Sequence, residues 1–168
     1  MYMSVKAKIS LRQREKKVMG FYDDGGKPGV GHCTYGYGTL AHKGPCTTDE
    51  LKSEVTEKMV SDSFEQRLRE AEKAVVRNVK VELTQGQFDA LVSLTYNAGP
   101  RGSKHVYKLV NAENFEGAAD AISRMIYSKQ KKNGKVVPVL MRGLIPRREE
   151  ESAPFRKTKV ETVRSAAK

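Results

Sequence analysis

The sequence predicts an α+β chain, mainly helical, in which a small β-hairpin lobe is joined through a long helix to a helical lobe. Three observations carry this expectation. Residues 21–45 are dense in glycine and turn formers around Thr34-Tyr35-Gly36-Tyr37-Gly38, which reads as a short strand between tight turns. Thr47 with Glu50, and Thr84 with Gln87, have the spacing of capping boxes, in which a hydroxyl and an acid or amide satisfy the first free amides of a helix. Phe88, Leu91, Val92, Thr95 and Tyr96 then fall on one face at helical spacing, the stripe of a buried helix.

Composition narrows the class. At 168 residues, 38% hydrophobic and 30% charged, the chain can bury a core and is too apolar to be disordered. No run approaches the length of a membrane span. The basic start, MYMSVKAKISLRQREKK, lacks the apolar centre of a signal peptide, so synthesis in the cytoplasm without encoded export is expected. The formal net charge of +11 calls for an anionic partner. Nucleic acid would require basic residues interleaved with exposed aromatics or a recognition helix; neither is evident. The basic residues are scattered, with concentrations at Lys129–Lys135 and in the tail.

Taken in order, residues 4–19 read as a helix stopped by Gly20, with Val5, Ile9, Leu11 and Val18 as its apolar positions. Asp24-Gly25-Gly26-Lys27-Pro28-Gly29 is a turn, and His32 to Leu40 is strand-like. From Thr47 a helix runs to Val76 through Leu51, Val55, Met59, Phe64, Leu68, Ala71 and Val75, either unbroken or bent near Ser61–Ser63. The core helix opened by Thr84 ends at Asn97-Ala98-Gly99-Pro100. Shorter helices follow at 103–110 and 113–127, then a basic loop over Lys129–Lys135, then a last helix at 144–155 with Pro146 in its first turn. With no repeat and no linker, residues 1–168 read as one domain: hairpin lobe at 20–45, helical lobe at 47–155, and a fraying polar tail at 156–168.

Chemistry concentrates in Glu15 to Gly38. A glutamate at a helix end and an aspartate beyond an aromatic pair, with a hydroxyl on the following strand, suit glycosidic bond cleavage. That reaction needs one carboxyl group to protonate the leaving oxygen and a second polar centre to activate water on the opposite face. The candidates are Glu15, Asp24 and Thr34, with Asp23 a rival to Asp24. Read singly, Glu15 is an ordinary surface charge, the aspartates are turn caps and Thr34 is a β-former. Cys33 and Cys46 are the only cysteines; free thiols, a disulfide and half of a metal site all remain open. His32 and His42 lie near them, but the spacing does not match the usual zinc ligand pairs, and no metal or other cofactor is expected.

Four stretches in order resemble the phage-type lysozymes of T-even and lambdoid phages. They are Glu15 with Tyr22 and Asp24; Thr34-Tyr35-Gly36-Tyr37-Gly38; Leu83 to Leu91 leading to Asn97-Ala98-Gly99; and Gly143-Leu144-Ile145-Pro146-Arg147-Arg148-Glu149-Glu150-Glu151. The resemblance spans residues 15–155 and implies a lysozyme-like fold. It also implies inverting hydrolysis of the β-1,4 bond between N-acetylmuramic acid and N-acetylglucosamine. On it, Glu15 is the general acid, Asp24 orients or activates the water, and Thr34 hydrogen-bonds that water. Arg147 or Arg148 would fix the acid, and Asn97 and Tyr37 join them in substrate binding or acid positioning. The sequence departs from the family pattern at Lys16 after Glu15, in the longer stretch between Asp24 and Thr34, and at Thr39, where a histidine is usual.

The expected partner is therefore the peptidoglycan glycan strand, attacked by a monomer without nucleic acid or stable membrane insertion. The expected setting is an endolysin released to the periplasm through a holin-type pore. A secreted antibacterial effector and a non-catalytic wall-binding module are the alternatives; the joint presence of Glu15, Asp24 and Thr34 argues against the latter.

Overall fold

The computed structural model describes residues 1–132 and 135–156. The chain divides into two compact units, one of Val5–Glu70 and one of Met1–Ser4 with the residues from Ala71 onward.

The Val5–Glu70 unit opens with helix α1 (Val5–Arg14), followed by strands β1 (Val18–Asp23), β2 (Cys33–Gly36) and β3 (Thr39–His42) in an antiparallel sheet of order β1-β2-β3. The predicted helix over 4–19 thus stops early, and Gly20 lies within β1. Of its expected apolar positions only Leu11 is buried in α1; Val5 and Ile9 are 75% and 53% exposed, so one leucine carries the helix's packing. The expected hairpin is a three-stranded sheet, with Val18 opposite Gly36 and Tyr22 opposite Thr34. That register gives β1 extra residues between the two pairs, a bulge that bends the strand and re-aims its side chains.

Gly36 shows why the strand motif needs glycine. Its φ is +61°, and a Cβ there would stand 3.3 Å from both Val60 methyl groups. Thr39, the position where a histidine is usual, instead donates to the Ser63 hydroxyl at 3.1 Å and ties β3 to helix α3 (Glu57–Asn78).

The Thr47–Glu50 capping box forms as predicted but opens only the short helix α2 (Thr48–Lys52). The break before α3 falls at residues 53–56, rather than near Ser61–Ser63. Val55, Phe64, Leu68, Ala71 and Val75 are buried as expected, whereas Leu51 and Met59 are exposed and Val60 takes the inward place. The division between the two units falls within α3.

The other unit is built on α4 (Gln85–Asn111), capped by the Thr84–Gln87 box. Its buried residues between Phe88 and Tyr96, all but Asp89, include every residue of the predicted stripe. At Gly99 the backbone leaves helical geometry, with φ 72° and ψ 165°, and Pro100 starts the second segment with its missing amide at no cost. Helix α5 (Phe115–Ser123) is shorter than the predicted 113–127. The predicted basic loop is instead an antiparallel hairpin, β4 (Tyr127–Lys132) and β5 (Lys135–Leu140), running from Tyr127 opposite Leu140 to Lys132 opposite Lys135. The alternating Val137 and Val139 of β5 were the strand signal that the run of lysines obscured. Asn133-Gly134 lie outside the described residues. Helix α6 (Ile145–Ser152) has Pro146 in its first turn, and a 3-10 turn at Ala153–Phe155 buries Phe155 beside Phe115. The predicted fraying tail lies outside the described residues beyond Arg156.

Candidate active site

The Val5–Glu70 unit holds Glu15, Asp24 and Thr34 together. Because Tyr22 and Thr34 face each other across β1 and β2, their side chains share one side of the sheet. Thr34 is only 4% exposed, and its hydroxyl donates to the His32 carbonyl at 3.2 Å, leaving the oxygen's lone pairs as acceptors. The Tyr22 phenol is pushed above its ordinary pKa, chiefly by burial and then by the negative charge of Asp24, while the Arg67 guanidinium pulls the other way. Tyr22 is therefore subject to opposing charges from its own unit, the Asp24 carboxylate and the Arg67 guanidinium.

The two adjacent aspartates do different work. Both oxygens of Asp23 accept backbone amides, Oδ2 from Gly29 at 2.6 Å and Oδ1 from Cys46 at 2.7 Å, so this carboxylate pins the long turn and the following loop. Asp24 is exposed. It accepts the His32 amide on Oδ1 at 2.7 Å, and its own amide donates to the His32 carbonyl at 3.1 Å. Its Oδ2 has no hydrogen bond among the described residues. Gly31 completes the turn with φ +98°, where a Cβ would come within 2.3 Å of Asp24 Oδ1.

Glu15 follows the last turn of α1, its amide donating to the Leu11 carbonyl at 3.3 Å, and it is half-buried. The end of that helix is fixed from two sides. Arg12 donates through Nε to the Tyr37 hydroxyl at 3.2 Å and lies over the Phe64 ring, 5.4 Å from its centroid. Lys17 pairs with Glu57 at 2.6 Å. Tyr37, expected among the substrate-binding or acid-positioning residues, is 8% exposed and packs edge-on against Phe64. Its carbonyl accepts from Arg67 at 2.7 Å. Arg12 and Arg67 carried no motif in the sequence; only the fold brings them to the hairpin.

Cys33 and Cys46 form a disulfide, which resolves the three alternatives left by their spacing. Cys33, His42 and Glu50 offer atoms within 4.8 Å of one another, but the Cys33 sulfur is spent on Cys46 and cannot act as a thiolate ligand. His42 and Glu50 instead bond each other, Nε2 to Oε1 at 2.9 Å. Glu50 also accepts the Thr47 amide and hydroxyl. Those bonds, the Thr47 amide first and His42 next, hold its carboxyl down at a pKa of about 2.

In the other unit, the Arg147-Arg148 pair converges on a buried carboxylate. Arg147 Nε donates to Glu151 Oε1 at 3.0 Å and its Nη2 to the Ser93 carbonyl at 3.1 Å. The Ser93 hydroxyl also donates to Glu151 Oε1, at 2.6 Å. Arg148 donates from all three nitrogens: Nε to the Met125 carbonyl, Nη1 to Glu151 Oε2 and Nη2 to Asn97 Oδ1. Asn97 is thereby tied to α6 although its side chain is exposed. Ser93 escaped the sequence reading because it lies between two core positions; Glu151 was visible in the Arg-Arg-Glu segment without an assigned role.

A bulged antiparallel hairpin bearing an aspartate and a threonine, a glutamate at the end of the preceding helix and a kinked core helix define a lysozyme-like α+β protein. The profile of the family described as phage lysozyme matches residues 16–151, and the chain belongs to that family. It is 30% identical over 148 residues to the endolysin of Salmonella phage P22, covering 86% of this chain and 90% of that protein. It is 36% identical over 129 residues to the endolysin of Bacillus phage B103, covering 76% of this chain but only 41% of that longer protein. Among solved structures, the endolysin from Escherichia coli O157:H7 phage FAHEc1 superposes with TM-score 0.72 at 29% identity, over 92% of this chain and 93% of that one. The muramidase domain of SpmX from Asticaccaulis excentricus superposes with TM-score 0.71 at 25% identity, over 93% of this chain and 98% of that one.

Proposed function

We propose that this protein is a peptidoglycan muramidase of the endolysin type, cleaving the β-1,4 bond between N-acetylmuramic acid and N-acetylglucosamine with inversion. The observation that carries the reading is the asymmetry of the aspartate pair. Asp23 is consumed by two backbone amides, whereas Asp24 keeps a carboxylate oxygen to receive a proton from water. Thr34 offers acceptor lone pairs on the side of the sheet it shares with Tyr22. Glu15 protonates the glycosidic oxygen as the bond breaks, and a water held by Asp24 and Thr34 attacks the anomeric carbon from the opposite face.

Tyr37 serves by positioning rather than by touching sugar, because its ring is packed and its hydroxyl accepts from Arg12. The acid-positioning role that the resemblance gives to an arginine is proposed for Arg147 or Arg148, and Asn97 acts through its bond to Arg148. On this reading both units serve one catalytic domain, a monomer that works on the wall after a pore in the membrane releases it.

The test uses purified Gram-negative peptidoglycan and a folded Glu15→Gln variant. Wild type is expected to release new reducing ends without new free amines, with the α-anomer formed first; the variant is expected to release essentially none. Equal release by both proteins would remove Glu15 as the acid. New amines would remove the glycosidase reading altogether.

A further inference from the structure

The β4–β5 hairpin is not used by the proposed reaction, and its composition is unusual for a solvent-facing sheet. Register places Tyr127 opposite Leu140, Lys129 opposite Pro138 and Lys131 opposite Val136, and residues two apart on a strand share a face. One face of the hairpin therefore carries Tyr127, Leu140, Lys129, Pro138 and Val136. Tyr127, Val136 and Leu140 are 58%, 64% and 41% exposed, and Lys129 and Pro138 are exposed as well. The base of the hairpin is held where the Met141 amide donates to the Ile126 carbonyl at 2.8 Å and Arg148 donates to the Met125 carbonyl. Across the whole stretch between Asp120 and Glu149 the sequence contains no acidic residue, while Arg124, Lys129, Lys135 and Arg142 are exposed.

An exposed apolar patch that carries lysine, in a stretch of sequence without an acidic residue, points to a partner that is apolar beneath and anionic above. Glycan strands fit less well, because beside the single Tyr127 ring this face carries aliphatic side chains and lysine, with no carboxylate or amide side chain to bind sugar hydroxyls. We infer that the Tyr127–Leu140 face of the hairpin is a docking surface for a phospholipid bilayer bearing anionic headgroups. The aliphatic side chains and the Tyr127 ring enter the headgroup region, and the cations meet the phosphates. Such a surface would hold the protein reversibly at a membrane next to the wall, with no spanning helix.

The chain has no tryptophan, so a Tyr127→Trp substitution places a single indole on this face. The full-length variant is titrated with vesicles of phosphatidylglycerol and phosphatidylethanolamine, with phosphatidylcholine vesicles, and with purified peptidoglycan. A blue shift with the anionic vesicles alone is expected. Adding Val136→Asp and Leu140→Asp should weaken vesicle binding by about tenfold or more, since each lost apolar side chain contributes well over 1 kcal/mol when removed from water. Hydrolysis of purified peptidoglycan should be unchanged by these substitutions. Vesicle binding without a shift would reduce the interaction to the general charge of the protein and overturn the proposal. A shift with peptidoglycan instead would reassign the face to the wall. Neither result depends on whether Glu15 is the catalytic acid.

Discussion

Arg12, on the last turn of α1, and Tyr37, in the turn between β2 and β3, meet in a 3.2 Å hydrogen bond from guanidinium Nε to phenolic oxygen. The bond joins the helix that precedes Glu15 to the turn that follows the strand carrying Thr34, so the segments of two proposed reacting groups share one clamp. Arg12→Met keeps most of the packing on Phe64 and removes the charged donor. We expect a loss of about 1.5–3 kcal/mol in stability, typical of a hydrogen bond to a charged group. A small displacement of a catalytic group is costly, so kcat should fall by about tenfold or more with KM little changed. Urea unfolding and steady-state kinetics on the same preparation separate the two effects; an unchanged kcat in a destabilised variant would make the clamp purely structural.

The Cys33–Cys46 disulfide closes a short loop around β2 and β3. Constraining a loop of this size in the unfolded chain is worth about 3 kcal/mol. Reduction with a thiol, or Cys46→Ser, should lower the melting temperature by several degrees. The loosened sheet should cost activity before the rest of the fold is lost. Activity followed against temperature with and without reductant checks both points.

Gly36→Ala should be among the most damaging single changes in the sheet. The positive φ of 61° costs an alanine about 1–2 kcal/mol, and the new methyl group meets Val60 at 3.3 Å. Gly20→Ala provides the control, because a Cβ there meets nothing within 4 Å. Chemical denaturation of the pair should show a clear loss at position 36 and a much smaller one at position 20.

The His42–Glu50 pair ties β3 to α2, and its contribution depends on pH from both sides. Glu50 is held at a pKa of about 2 against an ordinary 4.5, so its share is complete above the unfolded value and is lost as pH falls toward 2. His42 is raised above its ordinary 6.5, by the Lys43 carbonyl first and Glu50 next, so its share is present below that value and is lost as pH rises through the raised one. Stability of wild type relative to His42→Gln should therefore be greatest between about pH 4.5 and 6.5 and decline on either side. A difference that stays flat both below pH 4.5 and above pH 6.5 would show that the pair does not couple to folding.

Glu151 sits 2% exposed between Arg147 and Arg148, accepting from both and from Ser93. Glu151→Ala strands two arginines in a dry site, and removing one member of a buried ion pair costs about 3–5 kcal/mol. Thermal unfolding should show the loss. The conservative Glu151→Gln, which keeps an acceptor but not the charge, should recover only part of it.

The sequence announced what local chemistry controls and was silent where tertiary contacts decide. Both capping boxes formed because Thr47–Glu50 and Thr84–Gln87 satisfy amides within a single turn. The buried stripe from Phe88 to Tyr96 was legible because its helical period is long and regular. Gly20 misled: glycine suits both a helix stop and a strand bulge, and only pairing with β2 selects the latter. The basic run at Lys129–Lys132 masked a strand because lysine disfavours sheets on average, while the valines opposite supply the pairing. Within the proposed site, Glu15, Asp24 and Thr34 were suggested by order along the chain, and the fold places all three in one unit. The division of labour between Asp23 and Asp24 could not, since it depends on amides from Gly29 and Cys46 that lie distant in sequence.

Met1–Ser4 belong with the residues after Ala71, not with the helix they precede. The Met3 amide donates to Glu72, and Ser4 donates to Asp89 through both its amide and its hydroxyl. During synthesis, residues 1–4 must therefore wait for partners that emerge much later. The segment holding Glu15, Asp24 and Thr34 can complete its own contacts once Glu70 has emerged, whereas residues 1–4 complete theirs only when Asp89 of α4 follows. A change at residues 1–4 would thus be felt in the unit completed last, with the segment of the proposed reacting groups already in place.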